Sequence, residues 1–384
     1  MNRRVFLATA AASLAAAQQS DVPEPIRKLR PMLDGVVPIG EEERALRREK
    51  ARRLMAENKL DAIYLESGSS MYYFTGQRTP GQAVILGAKS KSEPVWTSAD
   101  AAKAAQALRD LGVATGKVGM EEQIRFATFD GLRRELPAVE CVSGTPVVAG
   151  CRVIKSPAEI ALLQRANDIT IEAYKAALAT MREGMTQREM SANISAAFRA
   201  LGTGGAAMAI FGKYTAFPHG SIQPQQLREG DMVLIDDGCS VEGYQSDITR
   251  TTVFGKPTKR QREVWDLERK AQDAALAAAK PGAACESVDA AARKVITDAG
   301  FGPGYKTPGL PHRTGHGIGL DGHEWTYLVK GNKTRIEPGM CFSNEPTIVI
   351  YGEFGVRLED CMYITPGGAR MFTKQSPAID QPFG

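Results

Sequence analysis

The chain of 384 residues has only four histidines and three tryptophans, and its six cysteines (Cys141, Cys151, Cys239, Cys285, Cys341 and Cys361) include no Cys-x-x-Cys pair. That spacing defines neither a disulfide framework nor a zinc ribbon. Cys239, close to residues singled out below, reads as an inert buried thiol. No run of eighteen apolar residues occurs, which excludes a membrane-spanning helix. Charge of one sign is also missing: 48 Lys+Arg against 44 Asp+Glu leave +4, too weak and too interspersed for a nucleic-acid surface. The most basic stretch, "ERALRREKARR", mixes both signs at helical spacing and reads as a solvated helix face. What remains, 43% hydrophobic and 24% charged residues, is the composition of a globular protein. The length favours two domains, or one large domain with a smaller companion.

The first twenty residues, "MNRRVFLATAAASLAAAQQS", contain no acid. A basic pair, a short apolar stretch and a small-residue site at Ala15-Ala16-Ala17 make a secretory signal, cleaved after Ala17 (residues 1–17). The doublet Arg3-Arg4 followed by Val5-Phe6-Leu7 resembles a twin-arginine export signal, with an ordinary Sec signal as the alternative. Either way the expected location is exported, in the periplasm.

Residues 22–149 read as a smaller α/β domain. A charged helix from Glu41 to Glu57 leads into the apolar strand "DAIYL", then "SSMYYFTG" and "QAVILG", with helices near "ADAAKAAQALRDLG" and "FDGLRREL". No histidine or carboxylate cluster falls there. From 150 to 384 the signals strengthen and recur. Ser156, Pro157 and Glu159 form a capping box ahead of a long helix, Thr186 and Glu189 form another, and Gly202 ends the second helix. Strands follow, including "DMVLIDDG" and "SDITRTTVFG". A long helix over "KRQREVWDLERKAQDAALAAAKPG", a second from Ser287 to Gly300, and strands near "MCFSNEPTIVI" and "GVRLEDCMYIT" repeat the order. This predicts a pseudo-duplicated α+β domain with acidic residues on the strands of both halves.

Asp236 ends an apolar run, a turn at Asp237-Gly238 is expected after it, and Asp247 starts an alternating strand. A hairpin returning on itself would bring Asp236 and Asp247 together. Glu345 in "SNEPT" and Glu359 in "VRLEDCM" interrupt apolar strand sequence, where an unpaired carboxylate is costly to bury. In "TGHGIGLDGHEW" His316 and His323 stand among glycines, which offer nothing to pack against and permit close approach. Four carboxylates crowded on a core sheet need compensating charge, so with His316 they form a candidate ligand set for two divalent cations. Oxygen-rich coordination with one imidazole favours manganese, iron or cobalt over zinc.

The order Asp236, Asp247, His316, Glu345, Glu359, set in "GYQSDITRT", "GHGIGLDGHE", "NEP" and "VRLED", resembles the pita-bread metallopeptidases: methionine aminopeptidase, prolidase and aminopeptidase P. The resemblance spans residues 150 to 370, and the preceding unit resembles the N-terminal domain of prolidase, aminopeptidase P and creatinase. Creatinase is similar in fold and lacks the dinuclear ligand set, so the intact set argues against it. The resemblance implies a pita-bread catalytic domain, assembly as a homodimer, and hydrolysis of peptides with proline at the second position. It implies metals bridged by Asp247 and Glu359 that share a hydroxide, with Glu345 shuttling the proton. His219 in "AFPHG", His312 in "LPHRTGH" and His323 fall at positions that line the substrate cleft, His219 and His323 contacting the scissile group, and Arg357 at one that touches the site carboxylates. Dipeptidase and aminopeptidase action stay open. The rival expectations are a metal enzyme of this fold acting on another small substrate, a lyase or C–N hydrolase, and a silent binding protein.

Overall fold

The computed structural model describes residues 22–89 and 93–383; the export-signal expectation lies outside them. Two compact units emerge. One comprises Val37–Glu159 together with Gly319–Trp325, and the other comprises residues 22–36, Ile160–Ile318 and everything from Thr326 on. Among the described residues no helix is long and apolar enough to cross a membrane.

In the first unit, strands β1 (Ala62–Glu66), β2 (Gln82–Gly87), β3 (Val95–Ser98), β4 (Gly116–Met120) and β5 (Val139–Ser143) form one sheet in the order β3-β2-β1-β4-β5. β1, β4 and β5 run parallel, while β2 and β3 are antiparallel additions at one edge. Alternate residues of the central strands, Ala62 and Tyr64, Ala83 and Ile85, Val118 and Met120, meet Leu108 and Leu132 of the helices Ala101–Asp110 and Phe126–Glu135 in one core. The helix Glu41–Glu57 has the expected bounds. "SSMYYFTG" differs: Ser69–Thr75 is a helix, closed by Gly76 at φ +76. Its buried Phe74 lies three and four residues after the buried Met71 and Ser70, with Tyr73 buried beside it, a helical period hidden in β-favouring residue types.

The second unit repeats one pattern. The helix Pro157–Leu178 starts on the expected box, with Ser156 Oγ accepting from Glu159 N and Glu159 Oε2 accepting from Ser156 N. The helix Gln187–Ala200 starts on Thr186 and Glu189 in the same way. Then come β6 (Gly205–Phe211), which sequence reading missed, β7 (Met232–Val241), β8 (Tyr244–Gln245) and β9 (Arg250–Val253). The helices Lys259–Ala278 and Cys285–Asp298 open the second half. The strands β10 (Gly315–Gly317), β11 (Glu324–Leu328), β12 (Cys341–Asn344), β13 (Thr347–Ile350), β14 (Phe354–Arg357), β15 (Asp360–Thr365) and β16 (Gly368–Met371) complete it. β11-β10-β12-β15-β16 form one sheet, β6-β7-β8 with β9 on β7 another, and β13-β14 a hairpin. The pseudo-duplicated α+β expectation describes this architecture.

The turn expected at Asp237-Gly238 is not there. β7 continues through both residues, pairing with Ala207 and Ala206 of β6, and the chain reverses at Glu242-Gly243, where φ is +50 and +83. Two consecutive positive φ values make the tight turn whose twist suits a two-residue hairpin. Gly238 serves close approach: a Cβ there would lie 2.4 Å from the Ser246 carbonyl oxygen.

Candidate metal centre

The hairpin returning from Glu242-Gly243 pairs Ser240 with Gln245 and, further on, Ile235 with Arg250. Residues 246–249 between β8 and β9 are the only interruption, and they carry Asp247 and Thr249. Asp236 sits opposite on β7, beside Asp237, whose φ of +119 is one that a side-chain-bearing residue rarely adopts. The Asp237 side chain is exposed, whereas Asp236 and Asp247 face inward.

The other half supplies its acids at strand breaks. β12 ends at Asn344 and β13 begins at Thr347, so Glu345 and Pro346 lie outside the ladder, as a proline without an N–H requires. Glu359 likewise lies between β14 and β15. Its N–H donates to Thr249 O at 3.2 Å, joining the two halves where the acids converge. His316 comes from β10, held by Ser343 Oγ, which accepts from His316 N at 3.1 Å. β10 can approach β12 because residue 315 is glycine: a Cβ there would lie 2.2 Å from Ser343 O.

Ligand atoms of Asp236, Asp247 and Glu359 lie within 4.8 Å of one another, and so do those of His316, Glu345 and Glu359. All five candidate ligands therefore meet in two overlapping groups that share Glu359. His316 Nδ1 is 3.0 Å from Gly317 O; it donates there, which turns the Nε2 lone pair toward Glu345 Oε1 at 3.3 Å and Asp247 Oδ2 at 3.6 Å. Acceptors facing acceptors at that range repel unless a cation or proton lies between them. Glu359 Oε1 is buried and has no hydrogen-bond donor among the described residues. Thr249 Oγ1 lies 2.5 Å from Asp236 Oδ1 and 2.7 Å from Glu359 Oε2, yet one hydroxyl proton serves one of them at a time.

The electrostatics follow from burial. Asp247 and Glu359 are pushed well above the usual carboxylate range, first by desolvation and then by the neighbouring acids. Glu345 is raised by burial to about 7 although Arg357 opposes the rise. Arg357, buried, donates from Nε to Thr249 Oγ1 at 2.9 Å and from Nη1 to Pro218 O at 3.1 Å, and its Nη2 pairs with Asp236 Oδ2. Arg357, joined at Glu345 by Arg313, is too little positive charge to keep all four carboxylates ionised without a further cation. The donor set and the orphaned Glu359 oxygen fit a pair of divalent cations.

The other histidines are placed as follows. His219 is exposed, one residue beyond the carbonyl that Arg357 holds. His312 is half-buried, with Nδ1 2.6 Å from Arg313 O and Nε2 3.0 Å from Thr347 Oγ1; desolvation and Arg357 press its pKa down to about 3, so the ring is neutral. His323 is exposed and belongs to the Gly319–Trp325 segment of the first unit.

Sequence reading missed the supports behind these residues. Arg250, fully buried, donates to Asp360 Oδ1 at 2.7 Å and to Glu359 O at 2.8 Å. Gln272 and Thr373 donate to the same Asp360 carboxylate. Thr249 and Arg250 lay inside the quoted "SDITRT", and Asp360 follows Glu359, so the signal was a buried polar residue beside each ligand.

The model of metallopeptidase family M24 matches residues 161–366. The chain belongs to metallopeptidase family M24. A creatinase/prolidase N-terminal domain matches residues 47–92 and 86–154. An Xaa-Pro dipeptidase of Pyrococcus furiosus is 30% identical over 348 residues, covering 85% of this chain and 97% of that one. Among solved structures, a prolidase from Thermococcus sibiricus superposes with TM-score 0.79 at 25% identity, over 88% of this chain and 98% of that one. An X-Pro aminopeptidase from Thermotoga maritima does so with TM-score 0.76 at 25% identity, over 86% and 98%. The M24 chain thus has the pita-bread fold with a smaller N-terminal domain, as expected.

Proposed function

We propose that this M24 metallopeptidase hydrolyses Xaa-Pro peptide bonds, using two divalent cations held by Asp236, Asp247, His316, Glu345 and Glu359. The observation that carries the reading is the convergence of four carboxylates with an imidazole whose Nε2 faces them, in a buried cluster beside Arg357. The similarity to an Xaa-Pro dipeptidase, a prolidase and an X-Pro aminopeptidase supports the substrate class. When bound, the cations supply Lewis acidity that polarises the scissile carbonyl and acidifies water near neutral pH.

The chain's own residues do the rest. Arg357 and Thr249 hold Asp236 and Glu359 in place. Glu345 carries the proton from water toward the leaving nitrogen. His219 holds the carbonyl or the leaving nitrogen side, and His323 donates to the developing oxyanion. His312, neutral and bonded at both nitrogens, serves by positioning Thr347 and the segment after Glu345. An Xaa-Pro bond has no N–H on its scissile nitrogen, and a cleft built on cations and histidines does not require that donor.

Metal-reconstituted activity against Ala-Pro, a longer Xaa-Pro peptide and a non-proline control tests the reading. Hydrolysis of the control at the same rate would refute it, and the ratio between the two proline substrates assigns dipeptidase or aminopeptidase action. Manganese as the working ion is proposed from the oxygen-rich donor set and checked by elemental analysis of the native protein. Export in folded form is proposed from Arg3-Arg4; replacing both by lysine should leave the precursor in the cytoplasm. Assembly as a homodimer is proposed from the resemblance and checked by sedimentation.

A further inference from the structure

Between His316 and β11 the chain leaves the catalytic unit, and Gly319–Trp325 packs as part of the N-terminal unit. Both acids that flank His323 in this segment are tied down there. Glu324 is buried; its Oε1 accepts from Leu320 N at 2.8 Å and Asp321 N at 3.2 Å, which closes the segment into a tight loop. Lys155 Nζ donates to Glu324 Oε2 at 2.9 Å, and Arg152 Nη2 pairs with Oε1. The same Nη2 lies 2.6 Å from Asp321 Oδ2, and Arg152 Nη1 donates to Ser70 Oγ at 3.1 Å. Ser69 Oγ donates to Asp321 Oδ1 at 2.5 Å. At Gly319 a Cβ would come within 2.7 Å of the Glu324 carboxylate oxygens, so the loop admits no side chain at its entry.

We propose that Arg152 and Lys155 are positioning residues for His323: the N-terminal domain orients this histidine through an ionic knot with Asp321 and Glu324. The inference rests on the catalytic role given to His323 above. An ionic group of this kind, with Arg152, Lys155 and Glu324 enclosed, stabilises a fold little better than apolar side chains would, while it specifies one arrangement of the groups it joins. Here the arrangement specified is that of the residues two before and one after His323, whose own side chain is exposed. Burial alone would raise the Glu324 carboxyl, but Lys155 and Arg152 hold it at about 2, so Glu324 stays ionised at neutral pH.

The test is a double-mutant cycle on the full-length, metal-loaded enzyme, with Arg152→Gln and Lys155→Met each made alone and together with His323→Ala. Metal content, melting temperature, kcat and KM for Ala-Pro are read on every preparation. Arg152→Gln should lower kcat about 10–100-fold, the scale of a misplaced catalytic group, with metal content unchanged and KM within about twofold. In the His323→Ala background the further loss should be less than about twofold, because the group being positioned is gone. Arg152→Lys, which keeps the charge, and Asp321→Asn, which removes one contact, provide folded variants should Arg152→Gln prove too unstable; each should give a smaller, equally His323-dependent loss. Equal losses in both backgrounds, or an unchanged kcat, would overturn the inference. If His323→Ala itself leaves kcat intact in an active enzyme, the role of His323 falls and this inference with it. If His323→Ala is impaired and the Arg152 and Lys155 variants are not, this inference alone falls.

Discussion

Glu345→Gln in the metal-stripped protein should stabilise the fold at alkaline pH and do so less at acid pH. Burial raises the Glu345 carboxyl from the ordinary 4.5 to about 7, so the folded chain holds its proton where the unfolded chain has released it. A raised carboxyl gives stability that is complete below the unfolded pKa and is lost as pH climbs toward the folded one. With about 1.4 kcal/mol per tenfold change in acidity, ionising Glu345 in the folded metal-free chain costs about 3 kcal/mol, most of which develops between pH 5 and 8. Comparing parent with variant is essential, because His312, depressed to about 3, shifts stability with pH in the opposite sense. Urea unfolding of the two metal-free proteins at pH 5, 6.5 and 8 reads the difference. The amide should gain on the acid by about 2–3 kcal/mol across that range. With saturating manganese the order should reverse, since cations bind only the deprotonated parent cluster with full affinity. A variant less stable than the parent at pH 8 without metal, or a difference flat with pH, would refute the claim that this cluster is an anion trap awaiting cations.

Three further outcomes separate ligands from supports. His316→Ala should lose metal and activity together, whereas His323→Ala should keep metal and lose about 10²–10³-fold in kcat, read by elemental analysis and kinetics on the same preparations. Asp360→Asn leaves Arg250 buried against a neutral partner; it should cost about 3 kcal/mol or more in denaturant and weaken metal binding about 10–100-fold through the Glu359 carbonyl that Arg250 holds. Gly238→Ala would drive a methyl to 2.4 Å from the Ser246 carbonyl, so it should cost about 3 kcal/mol and displace Asp247, the next residue, visible as reduced metal stoichiometry.

The ligands were legible because each violates its surroundings. Asp236 and Glu359 stand in apolar sequence and His316 among glycines, and such placements are expensive unless something answers them. The helices were legible for a related reason, since capping boxes at Ser156 and Thr186 encode their starts within four residues. Local chemistry also misled. Asp237-Gly238 has the composition of a turn, but the strand runs on through it and the reversal uses Glu242-Gly243, a choice made by the register of β7 against β6 and β9. Ser69–Thr75 has the residue types of a strand and the burial period of a helix.

The supports were illegible because their partners are distant in the chain. Arg250 meets Asp360 across 110 residues and Arg152 meets Glu324 across 172; no local pattern marks such pairs, and an arginine on a strand reads as exposed until the fold encloses it. The glycines around the two histidines show where the boundary lies. Sequence reading took them as space for a metal or a substrate to approach. In the structure Gly315 makes room for the Ser343 carbonyl and Gly319 for the Glu324 carboxylate, so what approaches is the protein itself. The glycine beside His316 lets its strand reach β12, and the one ahead of His323 lets its loop fold onto Glu324. One motif thus delivers its two histidines to separate scaffolds, which is why a ligand and a proposed substrate contact seven residues apart should respond differently to substitutions in the two units.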